Sequence, residues 1–318
     1  MSNTNFEFRV LIDDDLFDNL KSDDFTLSPT DNKKVLSLVN NFQCDEWMYL
    51  EFRNFIFSHL PETALTKRER DSLLDESEIR TYRAIENLRL TDKNDRGRAS
   101  ELAEILLYGI MKKYYGAKEH YRVLPVVPKI FYKQNPNANA LGADSVHIVI
   151  ENEQNFSLWL GESKFYNNIQ RSMVDAINSI ENLLQLQQLR KENSIIMNLP
   201  ELDEYLQDNP NLLKEIKDLL DGYTSIDDLM PKLHIPILLL HECDITKEAT
   251  EMTDKYKDDI IEYHKKQAEK YFKRQIRKLS TTVHRYNSIK FHLILFPVPE
   301  KKRIVESFIE RIKISRSA

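Results

Sequence analysis

Three extended apolar segments follow one another between residues 123 and 165: "VLPVVPKIFY", "DSVHIVIE" and "SLWLGESKF". An Asn-, Pro- and Gly-rich loop divides the first two, and the polar turn "ENEQN" divides the last two. Turn residues between β-favouring runs predict consecutive strands. Ahead of them, "SELAEILLYGIMKKYYG" places Leu102, Ile105, Leu106, Gly109 and Ile110 on one face of a helix that Gly116 can terminate. Behind them, Met173, Ile177, Ile180 and Leu184 form the buried stripe of a long helix, widened by Ala176 and Leu183. The order helix, strand, strand, strand, helix predicts an α/β core in which both helices bury their stripes on one sheet. A buried strand "LHIPILLLHE", a long helix over roughly 252–280, a strand "IKFHLILFPV" and a helix from about Glu300 complete the pattern.

The remaining segments are less regular. Residues 1–95 read as a short strand "FEFRVLI", an acidic loop, a helix carrying Trp47, Leu50, Phe52, Phe55 and Ile56 before Pro61, and an exposed helix "KRERDSLLDESEIRTYRAIENL". The polar run "RLTDKNDRGRAS" marks a boundary, with Asp95 and Ser100 able to cap a helix and Gly97 able to turn. The expected organisation is therefore an N-terminal accessory region over 1–95, suited to partner docking, and a core over 96–318. The acidic stretch 192–231 reads as a helical insertion in that core.

Composition narrows the function classes. Two cysteines, Cys44 and Cys243, lie far apart and form no metal-type pair, so a thiolate zinc site is not expected and both are expected to be reduced, in or near the core. No run reaches the roughly 18 apolar residues of a membrane span, and "MSNTNFEFRV" lacks a signal-peptide layout, so a cytoplasmic protein with no membrane partner is expected. Residues 1–50 hold ten acids and four bases, equalling the formal charge of −6 of the whole chain. The rest is balanced, and its net charge does not argue against nucleic acid.

The chemistry lies in "GESK". Side chains alternate along a strand, so Leu158, Leu160, Glu162 and Lys164 share one face and Trp159, Gly161 and Ser163 the other. Glu162 and Lys164 therefore point together, at what is expected to be the exposed end of the strand. Folding the hairpin about residues 153–155 sets Asp144, in "GAD", opposite a residue near 164. On the preceding helix Glu101 and Glu104 share a face, and either can bring a further carboxylate. Converging carboxylates at a strand edge suit Mg²⁺ or Mn²⁺. Such an ion can polarise a phosphodiester and acidify bound water, while an adjacent lysine offsets phosphate charge. Metal-assisted phosphodiester hydrolysis is the reaction this describes.

With these residues in place, the chain resembles the PD-(D/E)xK nuclease superfamily, whose core runs helix, three antiparallel strands, helix, strand. The resemblance implies Glu104, Asp144, Glu162 and Lys164 as the catalytic set, the three carboxylates as metal ligands, and Ala143 in place of the family's proline. Glu101 competes for the helix role, and Gln170 and Arg171 stand where the superfamily often places a polar residue by the scissile phosphate. The fuller pattern over about 96–300, from "SELAEILLYGI" through "KQNPNANALGADSVHIV" and "LWLGESKFY" to "HLILFPV", is similar to the nuclease subunits of the Hachiman anti-phage defence system. That likeness implies a DNA-degrading effector working with a large partner helicase, as a heterodimer.

Other features carry less. "HKKQAEKYFKRQIRK" sets Ile261, Ala268, Phe272, Ile276 and Leu279 on one side of a helix and Lys266, Lys270, Lys273 and Arg277 on the other. That basic side fits either phosphate tracking or a solvated face. His241, Glu242 and Cys243 lack "HExxH" spacing and read as a strand end. The chain has no "GxxxxGK[ST]" loop, so any ATP-driven motor belongs to the partner. Two further readings stay open: a catalytically inactive module that binds DNA or scaffolds the helicase, and a stand-alone restriction-type nuclease.

Overall fold

A computed structural model describes residues 7–13, 31–88, 96–116, 121–133 and 142–317. The strands are β1 (Arg9–Ile12), β2 (Lys33–Val39), β3 (Phe42–Gln43), β4 (Glu46–Trp47), β5 (Arg122–Pro125), β6 (Ser145–Ile150), β7 (Phe156–Tyr166), β8 (Leu233–Glu242) and β9 (Lys290–Val298). The helices are α1 (Tyr49–Ala64), α2 (Lys67–Ser72), α3 (Ser77–Glu86), α4 (Arg96–Ile110), α5 (Lys129–Lys133), α6 (Ile169–Leu183), α7 (Leu186–Met197), α8 (Pro200–Leu206), α9 (Pro210–Leu220), α10 (Ile226–Leu229), α11 (Asp244–Glu248), α12 (Asp254–Leu279) and α13 (Lys301–Ser317).

Seven strands form one mixed sheet in the order β1-β2-β9-β8-β7-β6-β5. The four inner strands β2, β9, β8 and β7 are parallel; β6 and β5 continue antiparallel beyond β7, and β1 runs antiparallel to β2. Both faces are covered, which is why β8 and β9 read as continuous apolar runs. On one face Leu158, Leu160, Ile237 and Leu293 join Met173, Ile177 and Ile180 of α6. On the other, Trp159, Phe165, Leu240 and Phe296 join Leu102 and Leu106 of α4 and Phe52 and Phe55 of α1. Among the described residues no helix is long and apolar enough to cross a membrane.

Several expectations change. Strand β2 was not anticipated: it begins with two lysines and has a serine at its centre, yet it lies inside the sheet between β1 and β9. The sheet thus takes strands from both sides of residue 95. Trp47 is in β4 rather than the helix, because Cys44 and Asp45, at φ of 51° and 62°, make the tight turn of a small hairpin. Cys44 is exposed there, and only Cys243 is buried. Pro61 lies inside α1, Leu50 faces solvent, and the next expected helix is two, split after Ser72. The expected "VLPVVPKIFY" strand stops at Pro125 and resumes after Pro128 as α5, since proline cannot donate to a sheet ladder. Ser100 lies within α4, where its hydroxyl bonds Glu104 instead of capping, and Gly97 is helical; Asp95 and most of the "KQNPNANAL" loop lie outside the described residues. Helix α4 closes in a π-helical turn, Met111–Tyr115, followed by Gly116. Four helices, α7 to α10, lie between α6 and β8, over the stretch that includes 192–231.

Candidate active site

Register fixes the first pair. Ser145 pairs with Gly161, and the Asp144 amide donates to the Gly161 carbonyl at 2.7 Å, so Asp144 stands level with Glu162. The sequence placed it two residues further along. The carboxylate then accepts from Ser163 twice at Oδ2, from the amide at 2.9 Å and the hydroxyl at 3.0 Å. Its Oδ1 faces Lys129 Nζ at 3.1 Å. Lys129 also donates to the Ala143 carbonyl, binding α5 to the "GAD" segment from both sides of the peptide unit.

Gly161 explains why β7 carries a glycine before the acid. A Cβ there would lie 2.1 Å from Ser145 Oγ and 2.8 Å from Leu107 Cδ2 of α4, so the glycine lets α4 and β6 approach the strand closely. The strand does not end at it. Glu162 pairs with Ile237 and Lys164 with Leu239 in the parallel ladder to β8. In place of the expected exposed strand end, Glu162 is only 2% exposed.

The Lys164 ammonium donates to Glu162. Burial first, then the nearby charge of Asp144, pushes the Glu162 carboxyl up to about 7, with Lys164 and Lys129 pulling the other way. Burial opposes the charged form of Lys164, yet the Glu162 charge and hydrogen bond hold it above its ordinary value. Lys129, 4% exposed, behaves alike: burial lowers it, while Asp144, Glu104 and Glu162 together prevail and raise it.

Of the two acids on α4, Glu104 is 1% exposed and accepts from Ser100 at 3.1 Å, and its charge acts on Lys129. Glu101 is half-buried. Gln170 donates to Gln267 of α12 at 2.6 Å, and Arg171 lies over the Tyr166 ring. On α12, Lys266 and Lys273 pair with Glu262 and Glu269 one turn earlier, whereas Lys270 and Arg277 are exposed. The buried stripe of that helix is rotated from the expected one: it includes His264, Gln267, Tyr271 and Gln275, and Ile261 and Ile276 are only partly buried. Of its polar members, His264 is bonded to Ser37 at 2.7 Å, Gln267 accepts from Gln170 and Gln275 accepts from Tyr286.

Four residues of the cluster escaped sequence reasoning. Lys129 had a signal, as a lone charge in an apolar run. Ser163 lies on the opposite strand face and reaches Asp144 only because Asp144 is at a strand end. Tyr271, fully buried on α12, has its phenol raised by burial first and by Tyr286 and Glu162 after it. Glu192 of α7 is wholly buried: its Oε1 accepts from the Gly142 amide and, at 2.7 Å, from Gln188, and burial raises its carboxyl.

Among the described residues no group of three His, Cys, Asp or Glu side chains is placed to hold a metal. The donor chemistry nevertheless fits a hard cation. Asp144, on the approach to β6, stands level with Glu162 of β7, and burial first, then the charge of Asp144, suppresses the acidity of Glu162. Mg²⁺ characteristically takes one or two carboxylates and completes its shell with water and phosphate oxygens.

A mixed α/β sheet bearing buried carboxylates and lysines at one point is consistent with the PD-(D/E)xK-like nuclease fold. The chain belongs to the HamA family, the nuclease-effector family of the Hachiman system, whose family model matches residues 14–312. No curated protein and no solved structure matches it in the corresponding comparisons.

Proposed function

We propose that the chain is a metal-dependent DNA nuclease that hydrolyses phosphodiester bonds in the cytoplasm under the control of a HamB-like helicase, with Glu104, Asp144, Glu162 and Lys164 as its catalytic set. The observation that carries the reading is the level placement of Asp144 and Glu162, with Lys164 bonded to the latter. On this reading the antiparallel β5–β6–β7 unit, flanked by α4 and α6, is the nuclease core.

Asp144 and Glu162 would hold Mg²⁺ or Mn²⁺, with Glu104 behind them. When bound, the ion supplies Lewis acidity toward the phosphate and lowers the pKa of a bound water. The protein's own contribution is orientation and charge. Ser163 fixes the Asp144 carboxylate through two bonds to one oxygen, while Lys129 faces the other. Lys164 stays protonated at neutral pH, because Glu162 raises it. It therefore acts as a fixed cation that offsets charge developing on the phosphate and orients water by donation. The exposed Lys270 and Arg277 are available to the DNA backbone.

The pairing of Asp144 with Lys129 favours a second reading, in which the fold binds DNA or the helicase without cutting. Both are tested by incubating the purified chain, with and without the helicase, on plasmid and linear DNA in Mg²⁺ or EDTA. Cleavage that needs Mg²⁺ and is lost in Glu162→Ala and Lys164→Ala supports the nuclease. Equal cleavage by all three proteins, or none by any of them with the activated helicase, overturns it.

A further inference from the structure

The two oxygens of Asp144 are held by different kinds of donor. Oδ2 takes neutral donors from Ser163, which set its orientation, whereas Oδ1 takes the Lys129 ammonium at 3.1 Å. That ammonium is buried, is anchored to the Ala143 carbonyl, and experiences the charges of Asp144, Glu104 and Glu162. Its own charge acts in turn on Glu192. A single ammonium therefore pairs directly with Asp144 and interacts through its charge with carboxylates of α4, β7 and α7. Lys164, the other lysine of the cluster, is bonded to Glu162.

We propose that Lys129 is a built-in competitor of the divalent cation: its ammonium occupies Asp144 Oδ1, and the ion binds Asp144 only as the ammonium leaves that oxygen. The inference rests on the metal-dependent reading above. Buried carboxylates need a compensating cation, and one ammonium and one hard ion are alternative ways of supplying it at the same oxygen. Lys129 sits on a five-residue helix directly after Pro128, on an element separate from Glu162 and Glu104.

The test is Mn²⁺ binding to the full chain without DNA, followed by the electron paramagnetic resonance of the free ion and by the Mn²⁺-induced shift in Tm. Lys129→Gln removes the charge but keeps an amide donor for the Ala143 carbonyl, and Lys129→Met removes both. Both variants are expected to bind Mn²⁺ about tenfold more tightly than wild type or more, with a larger Tm shift, and Lys129→Arg to behave as wild type. Folding of either variant only in the presence of Mn²⁺ also supports the proposal, because the ion then replaces the ammonium. Unchanged or weaker Mn²⁺ binding by the Gln and Met variants, or failure of both to fold even in saturating Mn²⁺, overturns it. Loss of binding in Glu162→Gln, with no gain in either Lys129 variant, refutes the role of Lys129 and leaves the metal reading standing. Absence of Mn²⁺ binding by wild type and both Lys129 variants refutes the metal reading as well.

Discussion

Adding one methyl group at position 161 tests whether the close approach of strand and helix is what seats the site. In Gly161→Ala the new Cβ would stand 2.1 Å from Ser145 Oγ, 2.8 Å from Leu107 Cδ2 and 3.3 Å from Pro236 Cγ. Ordinary carbon contacts begin near 3.5 Å, so the serine oxygen must move by more than an ångström and Leu107 by several tenths. The serine can relieve the first clash by rotating, but Leu107 is fully buried on α4, three residues beyond Glu104. Overpacking of this kind costs about 1–3 kcal/mol, and because Leu107 cannot yield freely the upper half of that range is expected. Removing the nearest obstacle in Gly161→Ala/Ser145→Ala should recover part of the loss and leave the Leu107 share. Urea unfolding of wild type and the two variants measures both quantities from shifts in midpoint at constant slope. A single variant within about 0.5 kcal/mol of wild type, or a double variant no better than the single, would refute the packing argument.

Three further outcomes follow from the same geometry. Glu104→Ala should abolish Mg²⁺-dependent cleavage while Glu101→Ala largely keeps it, since only Glu104 is buried beside the lysine; loss in the Glu101 variant alone would reverse the assignment. With its carboxyl raised from 4.5 to about 7, metal-free Glu162 costs nothing below pH 4.5, where both folded and unfolded forms are protonated, and its full penalty above pH 7. That penalty is on the order of 3 kcal/mol, so Glu162→Gln should gain stability relative to wild type between pH 5 and pH 8; a flat difference in Tm across that window would contradict it. Glu192→Ala should lower unfolding free energy by about 1–3 kcal/mol by removing the acceptor for Gly142 and Gln188, and Glu192→Gln, which keeps an acceptor, should lie closer to wild type; denaturation curves with the two variants in the opposite order would refute this.

The parts of the molecule that sequence made legible are those governed by short-range pattern. Strands β8 and β9 are apolar along most of their length because both of their faces are covered, and alternation alone set Glu162 and Lys164 on one face. Strand β2 was hidden because what makes it a strand is its parallel pairing to β9, more than 250 residues away, and because the hydroxyl of Ser37 is satisfied by His264, 227 residues away. The same limit applies to the site. Lys129 and Glu192 look like stray surface charges until α5 and α7 fold back on the "GAD" segment, and no local periodicity encodes that return.

The grip of Ser163 on Asp144 has a consequence for assembly of the sheet. A β6–β7 hairpin that closed two residues out of step would still form a ladder and keep every side chain on its proper face, so backbone bonding hardly distinguishes it from the native form. Only the native alignment brings the Ser163 amide and hydroxyl to the Asp144 carboxylate while Glu162 stands level with it. The polar cluster thus serves as a vernier for the strands, and a misaligned chain would have a normal β-signal in circular dichroism yet carry no usable site.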